Sequence, residues 1–169
     1  VSIDPLIRGG EQEGRHRAGT ENTIGIVGLG RAAEIAEQHL ARMDDIRRLR
    51  DRLEAGIRDL VPGARLNGHP TRRLANTVNM VLPGYRGESV VLAFDRRGIC
   101  ISSGSACHSG SPEPSHVLLA MGLSEEDAHC SIRVTLGAYT TEEEIEQTIE
   151  VFRDVLHGPK EVVQFVTCR

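Results

Sequence analysis

Segments of helical period alternate with segments of strand period along this chain, which predicts an α/β fold: a short three-stranded sheet covered by helices. Three observations carry that prediction. Met43, Ile46, Leu49, Leu53, Ile57 and Leu60 recur at three- and four-residue steps, the mark of a one-faced helix. Thr77–Leu82 and Ser131–Leu136 alternate in the manner of strands. Thr140-Thr141-Glu142-Glu143-Glu144 reads as a capped helix start with acids in its first turn.

In chain order, Ile3–Gly10 reads as a short strand or extended piece entering a glycine turn, and Glu11–Arg17 as a loop without apolar periodicity. A helix follows from Thr20, with Ile24, Val27, Ala32, Ile35, Ala36 and Leu40 in step and Thr20 or Asn22 as its cap. The second helix, Met43–Leu60, stops at Val61-Pro62-Gly63. The strand Thr77–Leu82 ends at Pro83-Gly84. Gly87–Arg97 is a helix that Gly98 turns into a strand at Ile99–Ser102. A Ser/Gly loop comes next, then a short helix Pro114–Met121 stopped by Gly122, the strand Ser131–Leu136 and the final helix.

Composition narrows the function classes. The 169 residues carry 20 basic against 24 acidic side chains, a net charge of −4, which lacks the uncompensated basic face of a nucleic-acid binder. No apolar run approaches the ~18–20 residues that cross a bilayer, so no membrane partner is expected. The segment Arg47–Arg52 is interleaved with Asp44, Asp45, Asp51 and Glu54, and reads as a solvated helix face with internal ion pairs. Gly28-Leu29-Gly30-Arg31-Ala32-Ala33 fits the G-x-G-x-x-A dinucleotide pattern. The helical period runs straight through it, so glycines that allow close packing of a helix are the expected reading.

The four cysteines, Cys100, Cys107, Cys130 and Cys168, match no zinc spacing, and neither do the seven histidines, so no metal site is expected. With no secretory leader in view, free thiols in a cytoplasmic compartment are expected. Cys100 and Cys130 stand in apolar alternating runs and read as small buried hydrophobes; Cys168 lies next to the C-terminus. Cys107 differs. Ser102-Ser103-Gly104-Ser105-Ala106-Cys107-His108-Ser109-Gly110-Ser111 offers no large apolar side chain to bury its thiol, so a nucleophile or carrier and an incidental loop thiol are both open.

Four ordered blocks resemble the cysteine desulfurases, pyridoxal-phosphate enzymes of the class V aminotransferase superfamily, in the subgroup with a long cysteine loop. They are Gly9–Glu13 with Arg17–Asn22; Asn76–Asn79 with Gly87–Ser89; Ile101–Cys107 with Glu113–Leu118 and Ala120–Gly122; and Ser131–Gly137. The resemblance implies the small C-terminal domain of a fold-type I pyridoxal-phosphate enzyme over residues 41–169. Residues 1–40 would then be the end of its large cofactor-binding domain. It also implies sulfur taken from L-cysteine as a protein persulfide, release of L-alanine, and delivery to an iron–sulfur scaffold or another acceptor by a homodimer. Cys107 matches the attacking thiol. Arg133 matches the residue that grips the substrate carboxylate; without the resemblance it reads as a strand-end arginine in a surface ion pair. Thr20 matches a hydrogen-bond donor to the cofactor phosphate from across the dimer, and can serve as a helix cap as well. Cys100 and Cys130 then stand as core substitutions.

The family's cofactor lysine lies before the first block, whereas the only lysine here is Lys160, beyond the last. The resemblance therefore implies the C-terminal portion of an enzyme that, alone, is expected to be inactive and not to hold pyridoxal 5'-phosphate covalently. Two further readings stand beside it: a related class V lyase acting on selenocysteine or cystine, and a non-catalytic interaction fragment.

Overall fold

The computed structural model describes residues 3–103 and 113–158. Cys107, His108, Lys160 and Cys168 lie outside them. The chain divides into two compact units, Val1–Ala41 and Arg42–Arg169.

The first unit holds a kinked turn, Gln12–Arg15, and helix α1, Thr23–Leu40; no strand forms at residues 3–10. Glu13, Gly14 and Arg15 all take left-handed φ values, of 50°, 60° and 67°. Asn22, not Thr20, caps α1: its Oδ1 accepts from the Gly25 N–H at 3.0 Å. The helix runs through Gly28 and Gly30 as expected, but a Cβ at either would meet nothing within 4 Å, so the expected close packing is not found there among the described residues. No residue of α1 is buried, and Ile24 and Leu29 are 88% and 73% exposed, so the anticipated apolar face has no cover among the described residues.

The second unit contains α2 (Met43–Leu60), β1 (Arg65–Leu66), β2 (Thr77–Val81), α3 (Gly87–Asp95), β3 (Ser102–Ser103), α4 (His116–Ala120), α5 (Glu125–His129), β4 (Ser131–Thr135) and α6 (Glu142–His157). Its sheet has four strands rather than three, in the order β1-β2-β4-β3 with antiparallel neighbours throughout. The unforeseen strand, β1, is two residues long and too short to carry a period.

Alternation assigns the two faces. Val78 and Met80 of β2 and Ile132 and Val134 of β4 enter a core with Leu53 and Ile57 of α2, Val90 and Phe94 of α3, and Ile149 and Phe152 of α6. The foreseen face of α2 supplies Ile46, Leu53 and Ile57, with Met43, Leu49 and Leu60 packed against them. Helices α2 and α6 meet closely because residue 56 is glycine; a Cβ there would lie 2.7 Å from Ile149 Cδ1. Helix α6 opens on the anticipated cap: Glu144 N–H donates to Thr141 Oγ1 at 3.2 Å, and Thr141 N–H to Glu144 Oε2 at 2.9 Å.

Other boundaries moved for local reasons. The Phe94 carbonyl accepts from both Arg97 N–H and Ile99 N–H around Gly98 at φ 73°, so Ile99 serves the helix end and β3 starts only at Ser102. Cys100 is consequently exposed, against expectation, whereas Cys130 is buried at 3% exposure. Helix α5 was not foreseen, although Ser124 Oγ accepting from Asp127 N–H at 3.1 Å is a capping signature written in Ser124-Glu125-Glu126-Asp127.

The arginine-rich face of α2 is only partly solvated. Arg47 pairs with Asp44, and Arg48 with Asp45 at 3.3 Å, on the surface. Arg52 instead bridges to Glu146 of α6 at 2.6 Å. Arg50 is buried; it donates to the Leu74 carbonyl at 2.9 Å and to Asp51, fastening the segment before β2 to the helix. Glu54, its side chain 13% exposed, pairs with Arg58 at 2.9 Å and with Arg73. Burial alone would raise the Glu54 pKa, but the hydrogen bonds and charges of Arg58 and Arg73 outweigh it and hold the carboxyl below its ordinary 4.5. A carboxylate depressed in the folded state contributes stability above its unfolded pKa, and that contribution is lost as pH falls through the folded value. Glu54→Gln is therefore expected to lower stability at neutral pH and to flatten its decline below pH 4.5, as read by urea unfolding across an acid series.

Candidate functional site

The sheet face turned away from the core is polar where β2, β4 and β3 run side by side. Asn79 of β2 lies directly opposite Arg133 of β4, and Ser102 of β3 lies opposite Arg133 on the other flank. These three residues therefore form one row across the sheet, with Arg133 at its centre. The neighbouring bonds Leu82 N–H to the Cys130 carbonyl and Leu136 N–H to the Asn76 carbonyl, both 2.8 Å, set the ladder phase. In that phase the Asn79–Arg133 pair is the closely spaced type, with its side chains brought together.

Arg133 is half-buried and makes no ion pair or side-chain hydrogen bond with any described residue. The surface ion pair that its strand position predicts is thus not formed among them. Nearby charges are already committed: Asp127 of α5, for one, pairs with Arg65 at 2.6 Å. A half-buried guanidinium without a carboxylate of its own is equipped to receive one from outside, because its planar fork binds a carboxylate with two parallel hydrogen bonds.

Close packing holds the row in place. A Cβ on Gly87, the first residue of α3, would strike the Ser131 carbonyl oxygen and lie 3.2 Å from Ser103 Cβ, so only glycine lets α3 sit against β4 and β3 here. On the outer face, Asn67 Nδ2 donates to Asn79 Oδ1 at 2.7 Å and to Ser131 Oγ at 3.1 Å, and Ser131 Oγ donates to the Asp127 carbonyl at 2.8 Å. These partners are 12, 64 and 4 residues apart, which is why sequence pattern did not reveal them.

The other site candidates are placed as follows. β3 leads directly into the Ser/Gly loop, whose Cys107 lies outside the described residues. Thr20 belongs to the first unit and is exposed, its hydroxyl not used by the cap that Asn22 provides. A cavity of about 380 Å³ is lined by Leu53, Arg97, Cys100, Thr140, Glu144 and Thr148 among others; neither Arg133 nor Thr20 lines it. Among the described residues no group of three His, Cys, Asp or Glu side chains could hold a metal ion, and no helix is long and apolar enough to cross a membrane.

Comparison with known proteins gives a consistent picture. The family model for class-V aminotransferases matches residues 6–148. Cysteine desulfurase 2 of Trichormus variabilis is 46% identical over 165 residues, covering 98% of this chain and 42% of the relative. Cysteine desulfurase NifS of Azotobacter vinelandii is 50% identical over 146 residues, 86% of this chain and 36% of the relative. Among solved structures, the NifS-like protein from Rickettsia africae superposes with a TM-score of 0.76 at 34% identity, covering 91% of this chain and 40% of that one. The chain spans about two-fifths of the length of the curated relatives it matches.

Proposed function

This chain belongs to the aminotransferase class-V family, and we propose that it is the C-terminal portion of a cysteine desulfurase, which moves sulfur from L-cysteine onto Cys107 and releases L-alanine. The observation that carries the proposal is the half-buried Arg133, without an ion pair among the described residues, at the centre of a sheet row whose flanking strand, β3, precedes the cysteine segment in the chain. Cys107 stands four residues beyond Ser103, and four residues reach at most about 14 Å.

In the proposed reaction Arg133 holds the substrate carboxylate, which orients the substrate sulfur toward the loop. The Cys107 thiolate attacks that sulfur. A sulfur–sulfur bond forms as the substrate carbon–sulfur bond breaks, and the carbon keeps the electron pair and gains a proton to become alanine. A carrier thiol must collect the sulfur in one place and hand it on in another. We assign residues 1–40 to the end of the cofactor-binding domain and 41–169 to the small domain.

Pyridoxal 5'-phosphate, when bound, supplies the electron sink for carbon–sulfur cleavage. Thr20, exposed and free of the helix cap, fits a donor to its phosphate from across a homodimer. The described residues include no lysine, so they fit the phosphate end of the cofactor and not its covalent attachment. The Cys100 thiol, which forms no disulfide among the described residues, fits a reducing compartment such as the cytoplasm, and an iron–sulfur scaffold or another protein thiol would accept the sulfur.

The test is to join this chain to the N-terminal part of a cysteine desulfurase relative and assay alanine formed from L-cysteine. Equimolar alanine and transferred sulfur support the proposal; a cofactor-loaded protein that forms neither contradicts it. In that enzyme Arg133→Ala is expected to raise KM for L-cysteine about 100-fold, because it removes a charge-assisted double hydrogen bond, with Arg133→Lys recovering only part of the loss.

A further inference from the structure

The orientation of the Asn79 amide follows from a chain of hydrogen bonds that begins at a group with only one option. The Asp127 carbonyl can only accept, so the Ser131 hydroxyl spends its single proton there, at 2.8 Å. Ser131 Oγ must then accept from Asn67, which turns the Asn67 NH2 group toward it at 3.1 Å. The same NH2 group lies 2.7 Å from Asn79, so the Asn79 atom facing it is the carbonyl oxygen. What remains is Asn79 Nδ2, a pure donor with no partner among the described residues, in the row where Arg133 also offers only donors. The third member, Ser102, has a hydroxyl that can donate as well, and no described acidic side chain pairs with the row.

A row of unspent donors around a guanidinium suits a planar anion. We infer that the Asn79 side-chain amide is a second donor to the substrate carboxylate and that Asn67 is its positioning residue, an inference that rests on the reading of Arg133 given above. The carboxylate would bind the Arg133 fork and the Asn79 NH2 together. The buried end of the chain, Ser131 at 1% exposure, keeps the amide from turning over.

The polarity can be inverted without touching Asn79. In Asn67→Asp, residue 67 can no longer donate, so Asn79 turns its NH2 group inward to the new carboxylate and presents its carbonyl oxygen beside Arg133. The experiment uses the full-length enzyme made by joining this chain to a relative's N-terminal part, and measures KM and kcat for L-cysteine, with thermal melting as a check on folding. Asn79→Ala is expected to raise KM about tenfold, the loss of one hydrogen bond to a charged group, with kcat changed less than about threefold. Asn67→Asp is expected to raise KM by a similar factor, and to add nothing in the Asn79→Ala background. An unchanged KM in Asn67→Asp, or an effect that adds in full to that of Asn79→Ala, overturns the inference; so does a drop in melting temperature with KM untouched. If KM rises in Arg133→Ala and in neither asparagine variant, only this inference fails. If it stays level in Arg133→Ala, the carboxylate reading fails with it.

Discussion

Cys107→Ala in the full-length enzyme is expected to lower alanine formation from L-cysteine by at least about 10³-fold while leaving binding of the substrate intact. Alanine carries no lone pair that can attack the substrate sulfur, so the carbon–sulfur bond loses its acceptor. The exposed thiol of Cys100 is not a substitute. It lines a cavity together with Leu53 of α2 and Thr148 of α6, and it precedes the row that holds Arg133 instead of following it. KM for L-cysteine should stay within about threefold, because in the proposed reaction Arg133 and not Cys107 provides the carboxylate contact. Alanine formation at the wild-type rate in Cys107→Ala would remove Cys107 from the reaction.

The largest expected loss of stability comes from Phe152→Ala. Phe152 of α6 is fully buried, and its ring centroid lies 4.4 Å from that of Phe94 of α3 at an interplanar angle of 57°. This tilted pair joins two helices over the same face of the sheet. Removing one ring deletes its buried surface, the ring–ring contact and leaves a cavity, a cost of about 3–5 kcal/mol. Domains of this kind are stable by only about 5–15 kcal/mol, so the variant should unfold at markedly lower urea concentration. Tyr139, 86% exposed, provides the control: Tyr139→Ala should leave the midpoint nearly unchanged. Similar midpoints for the two variants would mean that the Phe94–Phe152 contact does not hold the core together.

How much of this was legible in the sequence depends on the range of the interaction. Helix α2 was placed to the residue because its apolar stripe and its Pro62-Gly63 stop are local signals. The cap of α6 was equally local, with Thr141 and Glu144 three residues apart. Strand β1 was missed since two residues show no period, and β3 moved because Gly98 committed the Ile99 N–H to the end of α3. Arg50 read as one charge among many; its burial depends on the Leu74 carbonyl 24 residues away.

The site shows the same division. A guanidinium in a strand was legible as a surface arginine, and only the family resemblance pointed to a carboxylate. Its placement between Asn79 and Ser102 required the register of three strands. The Asn67–Asn79–Ser131 chain joins positions far apart in sequence, none of which carries a motif of its own. In α1 the pattern of apolar residues was read correctly as a helix, and no residue of that helix is buried among the described residues.

The central claim is that Cys107 receives the sulfur of L-cysteine, and the most direct measurement is the mass of its peptide. The full-length enzyme is incubated with L-cysteine, the persulfide is trapped with an alkylating reagent, and the digest is read for peptides containing Cys100, Cys107 and Cys130. The expected result is one added sulfur atom on the Cys107 peptide alone, in step with the alanine released. Sulfur found on Cys100 or Cys130 with the Cys107 peptide unmodified would contradict it.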